Sequence, residues 1–132
     1  MIRVLVADDS TLVLDAVSQV VEATEGFEVV ASATSGEDAV RLAAEMAPDL
    51  VLLDVRMPGM GGIEAARRIR DDHPRAVLAL CTSDSSARLL GPASAAIASA
   101  VIDKLAFSPR SLAELWRLHG PPGTGASPAP GG

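Results

Sequence analysis

Apolar positions along this chain fall into two alternating patterns. Short runs at Ile2–Ala7, Glu28–Ala33, Leu50–Leu53, Val77–Cys81 and Ala100–Ile102 have the length and β-branched composition of strands. Most are almost continuously apolar, which marks strands covered on both faces. Longer segments with helical spacing lie between them. Thr11–Ala23 aligns Val13, Val17, Val20 and Val21 on one face. A second helix opens at Ser35, with Asp38 three residues on in a capping-box-like start, carries Ala39, Ala43 and Met46, and stops at Pro48. A third covers about Gly62–Asp72, aligns Ile63, Ala66 and Ile69, and ends at His73-Pro74. The last is capped by Ser108, takes Pro109 in its first turn, faces Leu112, Leu115 and Trp116 inward, and stops at Gly120-Pro121. The stretch "SSARLLGPASAAIAS" also reads as helical, but Gly91-Pro92 falls inside it. Proline there removes a hydrogen bond and clashes with the preceding turn, so a short or kinked fourth helix is expected. Alternation of strand and helix throughout predicts an α/β domain built on a parallel sheet.

Composition narrows this picture. The 132 residues fit one domain, predicted over residues 1–119. Residues 120–132, "GPPGTGASPAPGG", have no apolar periodicity and are expected to form a disordered Pro/Gly-rich tail or linker. With two Phe and one Trp in a chain that is 48 % hydrophobic, the core must be built from Val, Leu, Ile and Ala. A net charge of −6 gives no basic footprint, so direct binding of nucleic acid or of an anionic membrane surface is not expected. No stretch approaches the ~20 apolar residues of a membrane span, and Asp8-Asp9 cuts the first apolar run too early for a signal peptide. Cys81 is the single cysteine and sits in an apolar run, which excludes an internal disulfide and a cysteine zinc site and points to a cytoplasmic protein.

Chemistry gathers where such sheets keep it, outside the carboxyl ends of the strands. Asp8 and Asp9 follow the first strand, Asp54 the third, Thr82 the fourth and Lys104 the fifth. Each alone has an ordinary explanation. Adjacent aspartates can cap a helix, a threonine is a common strand former, and a lone lysine is usually a solvated charge. Together they put three carboxylates, a hydroxyl and an ammonium on one rim. Adjacent carboxylates at the end of a buried strand repel and resist ionisation unless a cation sits between them. His73 and His119, in a turn and at a helix end, take no part.

These residues resemble the receiver domain of two-component response regulators. Asp54 stands 45 residues after Asp9, Pro58 four and Gly62 eight after Asp54, Thr82 28 after Asp54, and Lys104 22 after Thr82, as in that family. The wording "DLVLLDVRMPGMGG" is most similar to the subfamily whose receivers precede a LuxR-type helix-turn-helix domain. The resemblance covers Ile2 to His119. It implies a flavodoxin-like, doubly wound five-stranded parallel sheet in the order 2-1-3-4-5, with helices on both faces. It implies Asp54 as phosphoacceptor, with Mg²⁺ held by Asp8, Asp9 and Asp54, by Asp9 more directly and by Asp8 largely through water. Lys104 would pair with Asp54 and then with the phosphoryl group, and Thr82 would move toward a phosphoryl oxygen as the switch. Arg56 and Asp84, two residues after the acceptor and the switch hydroxyl, would modulate phosphoryl lifetime, paired across the mouth of the site. The implied partners are a sensor histidine kinase and an output protein or C-terminal effector domain. The residue types suit the chemistry: a carboxylate attacks phosphorus only where the incoming charge is neutralised, and Mg²⁺ binds through one or two carboxylates, water and phosphate oxygen.

Three positions depart from the family's pattern. Val101 replaces the aromatic residue that reports the switch, Leu105 stands where a cis-proline is frequent, and Gly91-Pro92 interrupts the usual output surface. Two other functions are weighed against the phosphoacceptor. A metal-dependent phosphatase would need a second aspartate two residues after Asp54, where Arg56 stands. A phosphate-independent docking module would typically have lost one of the five site residues, and none is lost, although the altered output face keeps that reading open. The chain is thus expected to be a signalling domain that catalyses only its own aspartyl phosphorylation and dephosphorylation. It serves either alone or as the N-terminal receiver of a DNA-binding transcriptional regulator.

Overall fold

The computed structural model describes residues 1–83 and 90–121. Its elements alternate as β1 (Ile2–Ala7), α1 (Thr11–Ala23), β2 (Phe27–Ala33), α2 (Gly36–Met46), β3 (Leu50–Asp54), α3 (Gly61–Asp72), β4 (Val77–Thr82), α4 (Pro92–Ile97), β5 (Ala100–Asp103) and α5 (Pro109–His119), with a short 3₁₀ turn over Lys104–Ala106. All neighbouring strands are parallel, in the order β2-β1-β3-β4-β5. Successive side chains leave a strand on opposite faces, and the core divides accordingly. Val4, Val6, Leu50 and Leu52 pack with Leu14, Val17 and Val21 of α1 and with Leu112 and Trp116 of α5. Leu5, Val51, Leu53 and Leu80 pack on the other face with Ala39 and Ala43 of α2 and with Ala65, Ala66 and Ile69 of α3. Because every residue of β3 and β4 is buried, neither strand carries an amphipathic signal, as the unbroken apolar runs predicted.

The expected boundaries shift by a residue or so. β2 begins at Phe27, whose backbone pairs with Ile2 and whose ring meets Trp116 edge-on at 6.3 Å. β3 and β4 extend to Asp54 and Thr82, and β5 to Asp103. On α1 the fully buried positions are Leu14, Val17 and Val21, while Val13 and Val20 are only partly covered. On α3, Ala65, Ala66 and Ile69 are buried and Ile63 partly so.

The fourth helix is short, as expected. Gly91 is its N-cap in extended backbone and Pro92 occupies its first turn, where a missing N–H costs nothing and the fixed φ suits the helix. Among the described residues the Gly-Pro pair therefore starts this helix instead of breaking it. Its far end is tied down by Arg70 of α3. The guanidinium donates to the carbonyls of Ile97 (3.0 Å), Pro74 (2.8 Å) and Ala76 (2.7 Å) and to Ser99 Oγ (3.2 Å). Ser99 Oγ also accepts the Leu78 N–H at 3.2 Å, so one arginine joins α3, β4 and the α4–β5 connection. Of the tail expected over residues 120–132, Gly120 is the C-cap of α5 and Pro121 follows it, while residues 122–132 lie outside the described residues.

Candidate functional site

Parallel strands end on a common edge, and the register decides which residues meet there. Ala7 of β1 lies beside Leu53, Asp54 beside Cys81, and Thr82 beside Asp103. Asp8 leaves β1 still held to β2, through its N–H to the Ala33 carbonyl at 3.0 Å. Its carboxylate Oδ1 accepts the Ser10 N–H at 2.9 Å, and Ser10 in turn caps α1 by accepting the Val13 N–H at 3.3 Å. The helix cap is thus Ser10, with Asp8 Oδ1 holding the Ser10 N–H from outside the helix. Asp8 and Asp54 are buried and Asp9 is exposed, with one carboxylate oxygen from each within 4.8 Å of the others.

Lys104, directly after β5, reaches into this group. Its Nζ lies 3.2 Å from Asp8 Oδ2 and 3.2 Å from Asp54 Oδ1. Only the first contact is aligned as a hydrogen bond, so Asp54 Oδ1 is a buried carboxylate oxygen with an ion-pair partner but no hydrogen bond. Burial raises the Asp54 pKa, Asp8 raises it further, and the opposing pull of Lys104 and of the Arg56 N–H does not cancel them. For Lys104 burial acts downward, yet pairing with Asp54 and Asp8 outweighs it and the ammonium is favoured. Lys104 meets two of the three clustered carboxylates, Asp8 and Asp54. A hard divalent cation that takes carboxylate oxygens fits the three clustered carboxylates and the Asp54 oxygen that lacks a hydrogen bond.

Neighbouring residues keep Asp54 in place. Gly62 sits so close to the end of β3 that a Cβ there would run into the Asp54 carbonyl, whereas Gly61 before it has open space and a φ of +78. The Gly62 N–H also bonds the Val55 carbonyl at 3.0 Å. Cys81, flanking Asp54, is buried in the core, and burial followed by the nearby Asp54 and Asp8 pushes its thiol pKa up to about 12, so it stays protonated.

The remaining expected residues are placed as follows. Thr82 is buried at the same edge, and its hydroxyl donates to the Ile102 carbonyl of β5 at a long 3.4 Å. Arg56 is exposed, and its backbone N–H is the donor to Asp54. Asp84 lies outside the described residues, and with it the expected Arg56–Asp84 pair. Val101 is 49 % exposed on β5, and Gly91 and Pro92 are exposed at the start of α4, so these three form part of the outer surface away from the carboxylates. Leu105 is held in the 3₁₀ turn by its N–H to Asp103 Oδ1 at 2.9 Å and is 85 % exposed.

Two features were not read from the sequence. Leu12, 80 % exposed at the start of α1, and Leu105 border a groove of about 230 Å³ floored by Val13, Ala16, Val17 and Phe107 and reaching Lys104. Glu37, at the start of α2, accepts the Met60 N–H at 3.2 Å in the connection after Asp54. Nothing in the local spacing signals either one, because each depends on how two distant segments meet.

Comparison with known proteins agrees with this geometry. Residues 4–116 match the family model described as response regulator receiver domain. The chain is 47 % identical over 74 residues to response regulator GacA of Pseudomonas viridiflava, a match covering 56 % of this chain and 35 % of that protein. Across GacA of two Pseudomonas species and UvrY of Escherichia coli, the chain spans only 32 to 41 % of the relatives' length. Among solved structures it resembles a LuxR-family two-component response regulator from Aurantimonas sp. at 34 % identity and TM-score 0.72, covering 85 % of this chain and 79 % of that one. It also resembles the response regulator domain of Thermotoga maritima CheB at 28 % identity and TM-score 0.77, covering 91 % and 96 %. With the sheet order and acidic edge already in place, a match over almost the whole described chain settles the family: this chain belongs to the response regulator receiver domains.

Proposed function

We propose that this receiver accepts a phosphoryl group on Asp54 from the phosphohistidine of a sensor histidine kinase. The observation that carries the reading is the Lys104 ammonium held 3.2 Å from two buried carboxylates, one of whose oxygens lacks a hydrogen bond. In the transfer, an Asp54 carboxylate oxygen forms a bond to phosphorus while the phosphorus–nitrogen bond breaks, and the departing imidazole takes up a proton. Lys104 neutralises charge on the phosphoryl oxygens, and the weak Thr82–Ile102 bond is easily exchanged for one to the new phosphate. Asp8, Asp9 and Asp54 would hold Mg²⁺, which when bound neutralises phosphoryl charge and orients the group. No other chemistry is assigned: the domain catalyses only its own phosphorylation and dephosphorylation.

Intact-mass measurement after incubation with a small phosphodonor tests this. One phosphoryl increment should appear with Mg²⁺ and be absent in excess chelator. An adduct that forms equally well in chelator would refute the site.

A protein donor must approach Asp54 past Lys104, and among the described residues Leu12 and Leu105 are exposed leucines on the groove that reaches Lys104. Burying a leucine contributes about 1.5–3 kcal/mol. The pair Leu12→Gln and Leu105→Gln should therefore slow transfer from a kinase about tenfold or more, while the rate with a small phosphodonor stays within about twofold. Equal slowing with both donors would show that the leucines support the site and not the docking.

A second arrangement is favoured by the share of the relatives that this chain matches. The receiver would be residues 1–119, residues 120–132 a linker by composition, and the output an effector domain such as that of a transcriptional regulator. Both arrangements place the protein in the cytoplasm, where Cys81 stays a thiol. Among the described residues no helix is long and apolar enough to cross a membrane.

A further inference from the structure

The segment from Val55 to Met60 carries the Arg56 N–H that donates to the acceptor carboxylate, and it is held from outside by α2. Met60 is the N-cap of α3 and contributes no side-chain hydrogen bond to that end. A helix start leaves its first N–H groups without partners inside the helix. Here the Met60 N–H is taken by Glu37 Oε2 at 3.2 Å, from 23 residues away in the sequence. The same carboxylate lies against Gly59, which has φ +75, and a Cβ at Gly59 would come within 2.5 Å of both Glu37 oxygens. Next to Glu37, a methyl on Gly36 would strike the Met60 side chain. The first turn of α2 therefore grips this connection by a hydrogen bond and by close packing.

We propose that Glu37 is a positioning residue for phosphoryl transfer: bound to Met60 and seated on Gly59, it fixes the connection that places the Arg56 N–H against Asp54. The inference rests on Asp54 being the phosphoacceptor. Glu37 touches no reacting atom. Its effect passes through the backbone of residues 55–60, which links Gly59 and Met60 to Asp54. A carboxylate at this point also suits the positive end of α3, yet the essential feature is an acceptor for the Met60 N–H, which a glutamine side chain also provides.

The test compares Glu37→Ala and Glu37→Gln in the same chain, with a small phosphodonor at saturating Mg²⁺ and with amide exchange over residues 55–62. Glu37 is exposed, so both variants should fold. Glu37→Ala should lower the maximal phosphorylation rate about threefold to tenfold, the scale of one lost helix cap, with the half-saturating donor concentration unchanged. It should also speed exchange at Met60, and Glu37→Gln should restore both. A wild-type rate in Glu37→Ala would overturn the proposal, as would Glu37→Gln as slow as Glu37→Ala. If wild-type protein took up no phosphate, the phosphoacceptor reading would fall by that result alone. Exchange at Met60 would then still report on the clamp, and unchanged protection in Glu37→Ala would overturn it separately.

Discussion

Lys104→Met should slow phosphorylation of Asp54 by about 10²–10³-fold, the effect of deleting one preorganised charge from a site of developing negative charge. The side chain is mostly enclosed and its ammonium is shared between Asp8 and Asp54. Methionine keeps much of the length and removes the charge. The same variant should lose stability in chelator, because two buried carboxylates are left without their cation. Breaking a buried pair in this way costs about 3–5 kcal/mol, less whatever protonation of Asp54 recovers, since burial and Asp8 already raise its pKa. Added Mg²⁺ should return part of that loss by binding the folded state alone. Denaturant titration with chelator and with Mg²⁺, beside phosphorylation kinetics, measures both effects. A variant phosphorylated at the wild-type rate would remove Lys104 from the chemistry.

Much of this site was legible because a parallel sheet turns sequence position into spatial position. Once the apolar runs are read as parallel strands, whatever closes each run lies on one edge, and Asp8, Asp54, Thr82 and Lys104 need no further information to be brought together. What stayed hidden depends on rotamers and on contacts between distant segments. The spacing that finds Thr82 does not show that its hydroxyl faces Ile102. Arg70 bonds carbonyls and a hydroxyl instead of an acid, so charge patterning along α3 says nothing of it. Glu37 looks like an ordinary acidic residue in the first turn of α2, and only the return of the chain at Gly59 gives it Met60. Gly91-Pro92 signalled a short fourth helix, as found, but not which side of the pair the described turn would occupy. An apolar run with a proline inside it reads as a damaged helix, whereas the same proline in a first turn is among the best helix starts.

Asp54, the proposed acceptor, should give the largest effect. Asp54→Asn should form no phosphoryl adduct, because an amide lacks the anionic oxygen that attacks phosphorus. Its stability should change in the opposite sense, and the direction follows from the shift at Asp54. In the metal-free fold, burial and then Asp8 hold the carboxyl pKa above its unfolded value. Between those two values the native state binds more protons than the unfolded chain, so stability falls as pH rises through the interval. Below the unfolded pKa both states are protonated and Asp54 contributes no penalty. Above the folded pKa the full penalty is present, including at neutral pH. Asparagine does not titrate and leaves Lys104 its hydrogen bond to Asp8. In chelator, Asp54→Asn should therefore match the wild type most closely at acid pH and become the more stable of the two as pH rises toward 7. Mg²⁺ should narrow the gap at neutral pH, because the wild type keeps all three carboxylates for the ion and the variant keeps two. Thermal melts of both proteins across pH, with chelator and with Mg²⁺, test each statement. A gap that widens toward acid would mean that Lys104 and the Arg56 N–H outweigh burial, leaving Asp54 as a stabilising ion pair in the metal-free fold.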